Sequence, residues 1–558
     1  MIIILLFVVI SLVKILLSLP FISPYIMMDE VYYDNVAQNI LHGKLYASFI
    51  SQLGTTPPGY SIFLSVAYLF SQDKSVIYHV MLAINAFLTT SIIFPSYFIL
   101  KKYCTPVVSI LGALLVATLP IVNLYTYLLM SEDLFIPLFV FSLWFVIESF
   151  ETNNPVWEFL ASFSVVFLYM TRSTGIAMLV GFVAAFAYYA IVNRKQKSFI
   201  EIVKEKKVLL LSFVILLSLW LLYTVYCIPQ GSYSIGSPYK VESRYTNRII
   251  SAFSQFEIFK DYIISFIREM DYLILSTYFA LIFVLYYYVR SFVKRDRTNA
   301  PLYISFIYFI VCSIGLLAIS TTFMSYSYTK LSYEIYGRYI EAIIPPIFIF
   351  TVVGISRFIK EDYTNYKKWI IPLLIYIPVI LFALFTIPLK NYNIVNTLSI
   401  YYLYVIYNPG LSYVLLTLLA LSLFLMLYLI FIDKRYYYVI LLSLICISLI
   451  FSAPAYRSEL MCSTYSGDDI VNYLKNNSNM DTAVLIDKTT YNGIGWYTGS
   501  EVFFWSNGSV FLTMDVLNES TSSMYRNKTI YIISHNDYPY KIMANGSMGV
   551  KLYKNMQN

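Results

Sequence analysis

The amino-acid sequence predicts an all-α polytopic membrane domain with about thirteen crossings, followed by a small extracytoplasmic α/β domain. Two observations predict it. Apolar runs close to bilayer-spanning length recur from the first residues to residue 453, separated by short charged loops. Beyond residue 453 the chain turns polar, and short β-rich runs alternate with Gly, Asn and Ser. The composition agrees: 59% of the 558 residues are hydrophobic and 12% charged, where soluble domains carry roughly 25% charge.

The spans are expected near 2–22, 76–100, 106–122, 133–150, 156–171, 174–192, 208–227, 271–290, 301–322, 339–357, 369–389, 411–432 and 436–453, the third and fifth being short enough to be tilted or partly re-entrant. The first is apolar except for Lys14 and lacks a basic leader and a small-residue cleavage site, so it reads as a retained signal-anchor. Pro57-Pro58-Gly59 opens an apolar run to Phe70 that is too short to cross and reads as interfacial. Residues 1–453 form the membrane domain, with 23–75 as its first outer loop, and 454–558 form the second domain.

Orientation follows from Lys and Arg between spans. With the N-terminus inside, the loops 101–105, 151–155, 193–207, 291–300, 358–368 and 433–435 hold sixteen. The much longer loops 23–75 and 228–270 hold seven. The basic short loops are therefore expected in the cytoplasm, and 454–558 outside. All five Asn-x-Ser/Thr sequons, at Asn476, Asn507, Asn518, Asn527 and Asn545, lie in that tail. An Asn- and Ser-rich tail also generates sequons by chance. Within it, Ser466 reads as the N-cap of a helix, with strands at 483–487, 501–505, 529–533 and 549–553.

The net charge of +7 does not imply nucleic acid, since the Lys and Arg sit in short runs between apolar segments. The five Cys form no close-spaced pair, and three scattered His (42, 79 and 535) make no His-based metal cluster.

Polar groups concentrate at one boundary. Asp29 and Glu30 follow the first span and open a polar-aromatic stretch reaching His42 and Gly43. Ser131-Glu132-Asp133 starts the fourth span, Thr171-Arg172-Ser173 forms the turn between the fifth and sixth, and Gly337-Arg338-Tyr339 opens the tenth. Each has an ordinary alternative as a solvated helix end, a first-turn acid or a snorkelling Arg. Together, on one face, they suit sugar transfer from a polyprenyl phosphate: a carboxylate takes the acceptor hydroxyl proton, and Arg forks hold the phosphate.

These motifs resemble the GT-C glycosyltransferase superfamily, in the group of protein O-mannosyltransferases and aminoarabinose lipid A transferases. Asp29-Glu30-Val31-Tyr32 with Ala37 and Gly43 is similar to that group's first-loop acidic motif. Pro57-Pro58-Gly59-Tyr60, Glu132-Asp133, Thr171-Arg172 and Gly337-Arg338-Tyr339 follow in the family's order. The likeness covers the first six spans well and the rest loosely.

The resemblance implies an inverting transferase that moves a sugar from a polyprenyl-phosphate donor to a glycan, lipid or protein hydroxyl at the outer face of the bilayer. Asp29 would be the base. Glu30 with Glu132 or Asp133 would shape the acceptor site or a divalent-cation site. Arg338, with Arg172, Tyr339 and Arg244, would face the donor phosphate. The chain lacks a Trp-Trp-Asp tripeptide, unlike oligosaccharyltransferases, and its tail is too short for inserted β-trefoil domains. The stretch 228–270, with Tyr239, Glu242, Arg244, Tyr245 and Arg248, reads as a cover over the site or an interfacial loop. A transporter or flippase is the competing class; it calls for internal repeats and mid-span ionisable groups, and Lys14 is the clearest such group. A non-catalytic scaffold with a glycosylated ectodomain is a third reading.

Overall fold

The structure, a computed structural model, describes every residue except 26–27, 42, 44, 46–56, 195, 227–249, 251–253, 279, 294–299, 326–334, 363–393, 404–434, 461–467, 479–481, 488–500, 503, 507–508, 514–527, 547–548 and 556–558. Among the described residues seven helices are long and apolar enough to cross a membrane, or nine if each of two bent pairs is one span. The expected spans at 369–389 and 411–432, and the stretch holding Arg244, lie outside the described residues.

Burial sorts the helices. Those starting at Glu132 and at Glu341 are the most enclosed, while Lys207–Tyr226 presents most of its surface outward, as a helix that is apolar all round can do against lipid. The first helix, Ile2–Ser18, is mostly exposed and apolar; its inward stripe is Ile3, Ser11, Lys14 and Ser18. Met28–Ile40, expected only as loop, is a helix that packs on Gly59–Leu64. The Gly59–Leu69 run is short, as expected.

Two expected spans are broken. Pro106–Ala117 and Pro120–Tyr127 meet at 56°, because Pro120 cannot continue the first helix's hydrogen-bond ladder and instead starts a new one. The span expected at 271–290 does not form as one helix: Phe256–Ser276 and Ala280–Ser291 meet at 97°. Tyr278 sits at the corner with φ 49°, a conformation that ends an α-helix. Apart from Ser276 and Thr277 the flanking residues are apolar, so hydropathy runs through the turn without a mark.

The C-terminal part of the chain forms a five-stranded mixed sheet, β1 (Thr482–Asp487), β2 (Ser509–Thr513), β3 (Thr529–Ser534), β4 (Lys541–Asn545) and β5 (Lys551–Asn555), in the order β2-β1-β3-β5-β4. β1 runs parallel to both neighbours and is buried throughout, which matches its continuous apolar run. Val484, Ile486, Tyr531 and Ile533 join the main core, while Ala483, Leu485, Ile530 and Ile532 form a separate cluster, the period-2 alternation of a sheet. Two expectations are corrected. Residues 501–505 are helical at every described position rather than a strand. The tail helix is Asp469–Asn477, capped by Asp468, whose side chain accepts from Ile470 N; Ser466 lies outside the described residues. Asp468 fits the capping geometry because its carboxylate reaches two residues ahead.

Candidate active site

The site is assembled from first turns of helices and from turns just outside helix ends. Arg172 is extended, between the end of Pro155–Thr171 and the turn Ser173–Gly175. Arg338 lies in the turn Gly337–Tyr339, ahead of Ile344–Asp362. Asp29 and Glu30 occupy the first turn of Met28–Ile40, and Glu132 and Asp133 that of Glu132–Glu151, where helix dipoles favour acids. Close backbone approach places these turns: a Cβ on Gly59 would lie 2.7 Å from Thr171 Oγ1 and 2.8 Å from Met170 O, directly before Arg172.

Four of the expected residues converge. Arg338 donates from Nε to Glu132 Oε1 at 2.5 Å and from Nη1 to Asp29 Oδ2 at 2.5 Å. Arg172 pairs with the same Glu132 Oε1, and its Nη1 also donates to Ser131 Oγ at 3.0 Å. Glu132 and both arginines are buried; Asp29 keeps 38% of its side chain exposed. The cluster is charge-balanced, two carboxylates against two guanidiniums. Burial opposes the Arg338 charge, but Glu132 and Asp29 outweigh it and hold its pKa well above the ordinary Arg value; Arg172 is raised likewise, with Glu132 as the offsetting group. Tyr33 donates to Ser131 Oγ at 2.8 Å, and burial pushes its hydroxyl up to about 12, so it stays protonated. Ser131 in turn donates to Glu132 Oε2 at 3.3 Å.

Tyr339 presents its ring to the Arg172 guanidinium, 5.7 Å from the centroid, and stacks with Tyr336 beside Phe323. These aromatic faces flank the arginines.

Two expected acids turn elsewhere. Glu30 is fully buried and accepts from Leu129 N at 2.9 Å, which fixes the backbone leading into Ser131. Asp133 accepts from Met130 N at 3.3 Å and Tyr60 at 3.4 Å, while its Oδ1 has no partner among the described residues. Tyr60 also donates to Asn85 Oδ1 at 2.9 Å. Among the described residues no group of three or more His, Cys, Asp or Glu could hold a metal ion, and Asp29 and Glu132 converge on a guanidinium.

Sequence reasoning placed Tyr60 in a motif without giving it a role, and did not select Tyr33, Asn85, Tyr125, Tyr272 or Glu341. Glu341 accepts from the hydroxyls of both Tyr125 and Tyr272. Its position three residues past Arg338 was the available signal; no spacing rule points to tyrosines 216 and 69 residues away.

No family model and no curated protein matches the sequence. The fold does match solved structures. The structure of ArnT from Cupriavidus metallidurans bound to undecaprenyl phosphate superposes with TM-score 0.54 at 13% identity, over 100% of this chain and 98% of that one. The apo form of the same protein gives 0.52 at 15% identity, over 99% and 97%. The oligosaccharyltransferase AglB from Archaeoglobus fulgidus, in complex with an inhibitory peptide and a dolichol-phosphate, gives 0.44 at 11%, over 95% and 69%. At such identities the likeness to ArnT is one of fold, end to end: this chain has the fold of ArnT.

Proposed function

We propose that this chain is a membrane glycosyltransferase that moves a sugar from a polyprenyl-phosphate donor to an acceptor hydroxyl at the extracytoplasmic face. One observation carries the reading: a charge-balanced pair of arginines and carboxylates, Arg172, Arg338, Glu132 and Asp29, sits at one end of an apolar helical bundle. That end is where a phosphate headgroup would lie with its polyprenyl tail among the helices.

In this reading the acceptor oxygen attacks the anomeric carbon as the bond from that carbon to the phosphate oxygen breaks, inverting the configuration. The polyprenyl phosphate leaves with the bonding pair, and Asp29 receives the acceptor proton. Arg338 and Arg172 stabilise the charge growing on the leaving phosphate. Glu132 is committed to both guanidiniums, so it orients them and is not the base. Asp29 is the more exposed of the two carboxylates on Arg338, and an entering phosphate competes with it for Nη1, which frees the carboxylate for the acceptor.

The test is turnover by purified protein with a panel of polyprenyl-phosphate sugars and hydroxyl acceptors. Release of polyprenyl phosphate coupled to glycosylated product supports the reading. Movement of an unaltered lipid-linked sugar across proteoliposomes, without product, would replace it with a transporter.

A further inference from the structure

The Arg338 turn is gripped on both sides by buried carboxylates that the proposed chemistry does not use. On one side, Tyr336 N donates to Glu269 Oε1 at 3.2 Å. On the other, Glu341 is fully buried and each of its oxygens accepts from a tyrosine hydroxyl. Tyr125 belongs to the second half of the bent pair 106–127, and Tyr272 to the helix Phe256–Ser276. Glu269 and Tyr272 lie one turn apart on that helix, so it holds the turn at two points. Between them Gly337 lies flat against the tyrosine: a Cβ there would fall 2.3 Å from Tyr272 Cζ and 2.7 Å from Asn396 O. A buried carboxylate is costly without full hydrogen bonding, and here both oxygens of Glu341 have donors from two separate elements.

We infer that Glu341, through Tyr125 and Tyr272, is a positioning residue that fixes the Arg338 guanidinium for a phosphate ligand. The inference rests on the assignment of Arg338 to the donor phosphate. Arg338 must reach Glu132 and the ligand together, and a guanidinium fork loses its bidentate geometry with a shift of under about an ångström. The clamp would supply that precision from outside the site, since no atom of Glu341 needs to touch the ligand.

The experiment measures undecaprenyl phosphate binding to the full-length protein in detergent, for Glu341→Gln, Tyr125→Phe and Tyr272→Phe, each in the parent and in the Arg338→Ala background. The two Phe variants remove a single hydroxyl each and keep the test open if Glu341→Gln does not fold. Weakening by about tenfold is expected in the parent, and less than about twofold in the Arg338→Ala background, because the clamp then has nothing to position. A purely structural role would weaken both backgrounds equally, and that result, or parent-like binding by all three variants, overturns the inference. Parent-like binding by Arg338→Ala alone is the separate failure: it removes the phosphate assignment and the positioning role with it.

Discussion

At the scale of single residues, environment divides acids that composition cannot tell apart. Asp29, Glu30, Glu132 and Asp133 read alike in the sequence as paired acids at the outer ends of spans. Glu132 is held by two guanidiniums, Glu30 by a backbone N–H, and Asp133 by Met130 N and Tyr60. Asp29 alone of the four combines solvent exposure with a partner that a ligand could take over. Asp29→Asn keeps the shape and is expected to lower single-turnover transfer by roughly 10²–10⁴ while donor binding changes far less; transfer at the parent rate by a folded variant would remove Asp29 as the base. Lys14 is a second residue whose sequence signal was ambiguous. Its ammonium, buried inside the first helix's inward stripe, donates to Thr89 Oγ1 at 3.0 Å and Val122 O at 2.9 Å. From there a polar chain runs through Asn85 and Tyr60 toward Asp133. The charge therefore has fixed partners on two other elements, as expected of an intramembrane Lys retained for structure. Lys14→Met should cost on the order of 1–3 kcal/mol through the acceptor it strands, read as a fall in thermal stability. Adding Asp133→Asn should recover part of it, since the two charges offset each other across that chain. Strictly additive losses would mean that the two groups are uncoupled.

At the scale of elements, legibility depended on whether the physical signal was periodic and local. Helices such as Glu132–Glu151, Ala300–Ser325 and Tyr436–Ala455 fall where apolar runs placed them, because one long hydrophobic run can do little else in lipid. The corner at Tyr278 was invisible, since a left-handed residue within apolar sequence leaves hydropathy unchanged. The helix over Met28–Ile40 was hidden for the opposite reason: its polar groups serve several partners, Asp29 on Arg338, Glu30 on Leu129 N and Asp34 on Lys74, so its composition resembles a loop. In the tail, β1 and β3 were readable from their Val and Ile content. The exposed edge strand β4 was not: Ile542 is its one β-branched residue, and Met543 and Ala544 give no strand signal. The motif glycines are a further case. Gly59 reads as a turn residue after two prolines, yet its measurable demand is steric, with Thr171 and Met170 pressed against it. Gly59→Ala should push Gly59–Leu64 off the end of Pro155–Thr171 and shift Arg172, costing roughly 1–3 kcal/mol. Thermal unfolding checks the stability term, and a matching loss of undecaprenyl phosphate affinity checks the displacement of Arg172. A variant with parent stability would show that the contact can relax.

At the scale of the whole molecule, the helices have two chemically different ends. Glu132–Glu151 begins at the Asp29–Arg338 cluster and, at about 1.5 Å per residue, ends roughly 30 Å away. At that far end Lys102 pairs with Glu148 and Glu151, and Lys206 reaches Ser149 O and Glu158, so three of the six loops expected inside gather there. The C-terminal tail sits at the site's end: Phe504 packs on Tyr78 and over the Lys74 ammonium, which is itself paired with Asp34 at 2.5 Å. The location of one end therefore fixes the other, and the site and the tail must share a compartment. We predict that this compartment is extracytoplasmic, because the Lys- and Arg-rich short loops mark the opposite end as cytoplasmic and the five sequons lie in the tail. Two exposed positions make this measurable, Asn476 in the tail helix and Lys101 at the far end. With the five native Cys replaced, Asn476→Cys should react with a membrane-impermeant maleimide on intact cells, and Lys101→Cys only after permeabilisation. The reversed pattern would move the arginine–carboxylate cluster into the cytoplasm, where the donor would have to be presented from the inner leaflet. Labelling of both positions on intact cells would instead mean that the chain does not hold one orientation, and the charge bias between its loops would then not determine its topology.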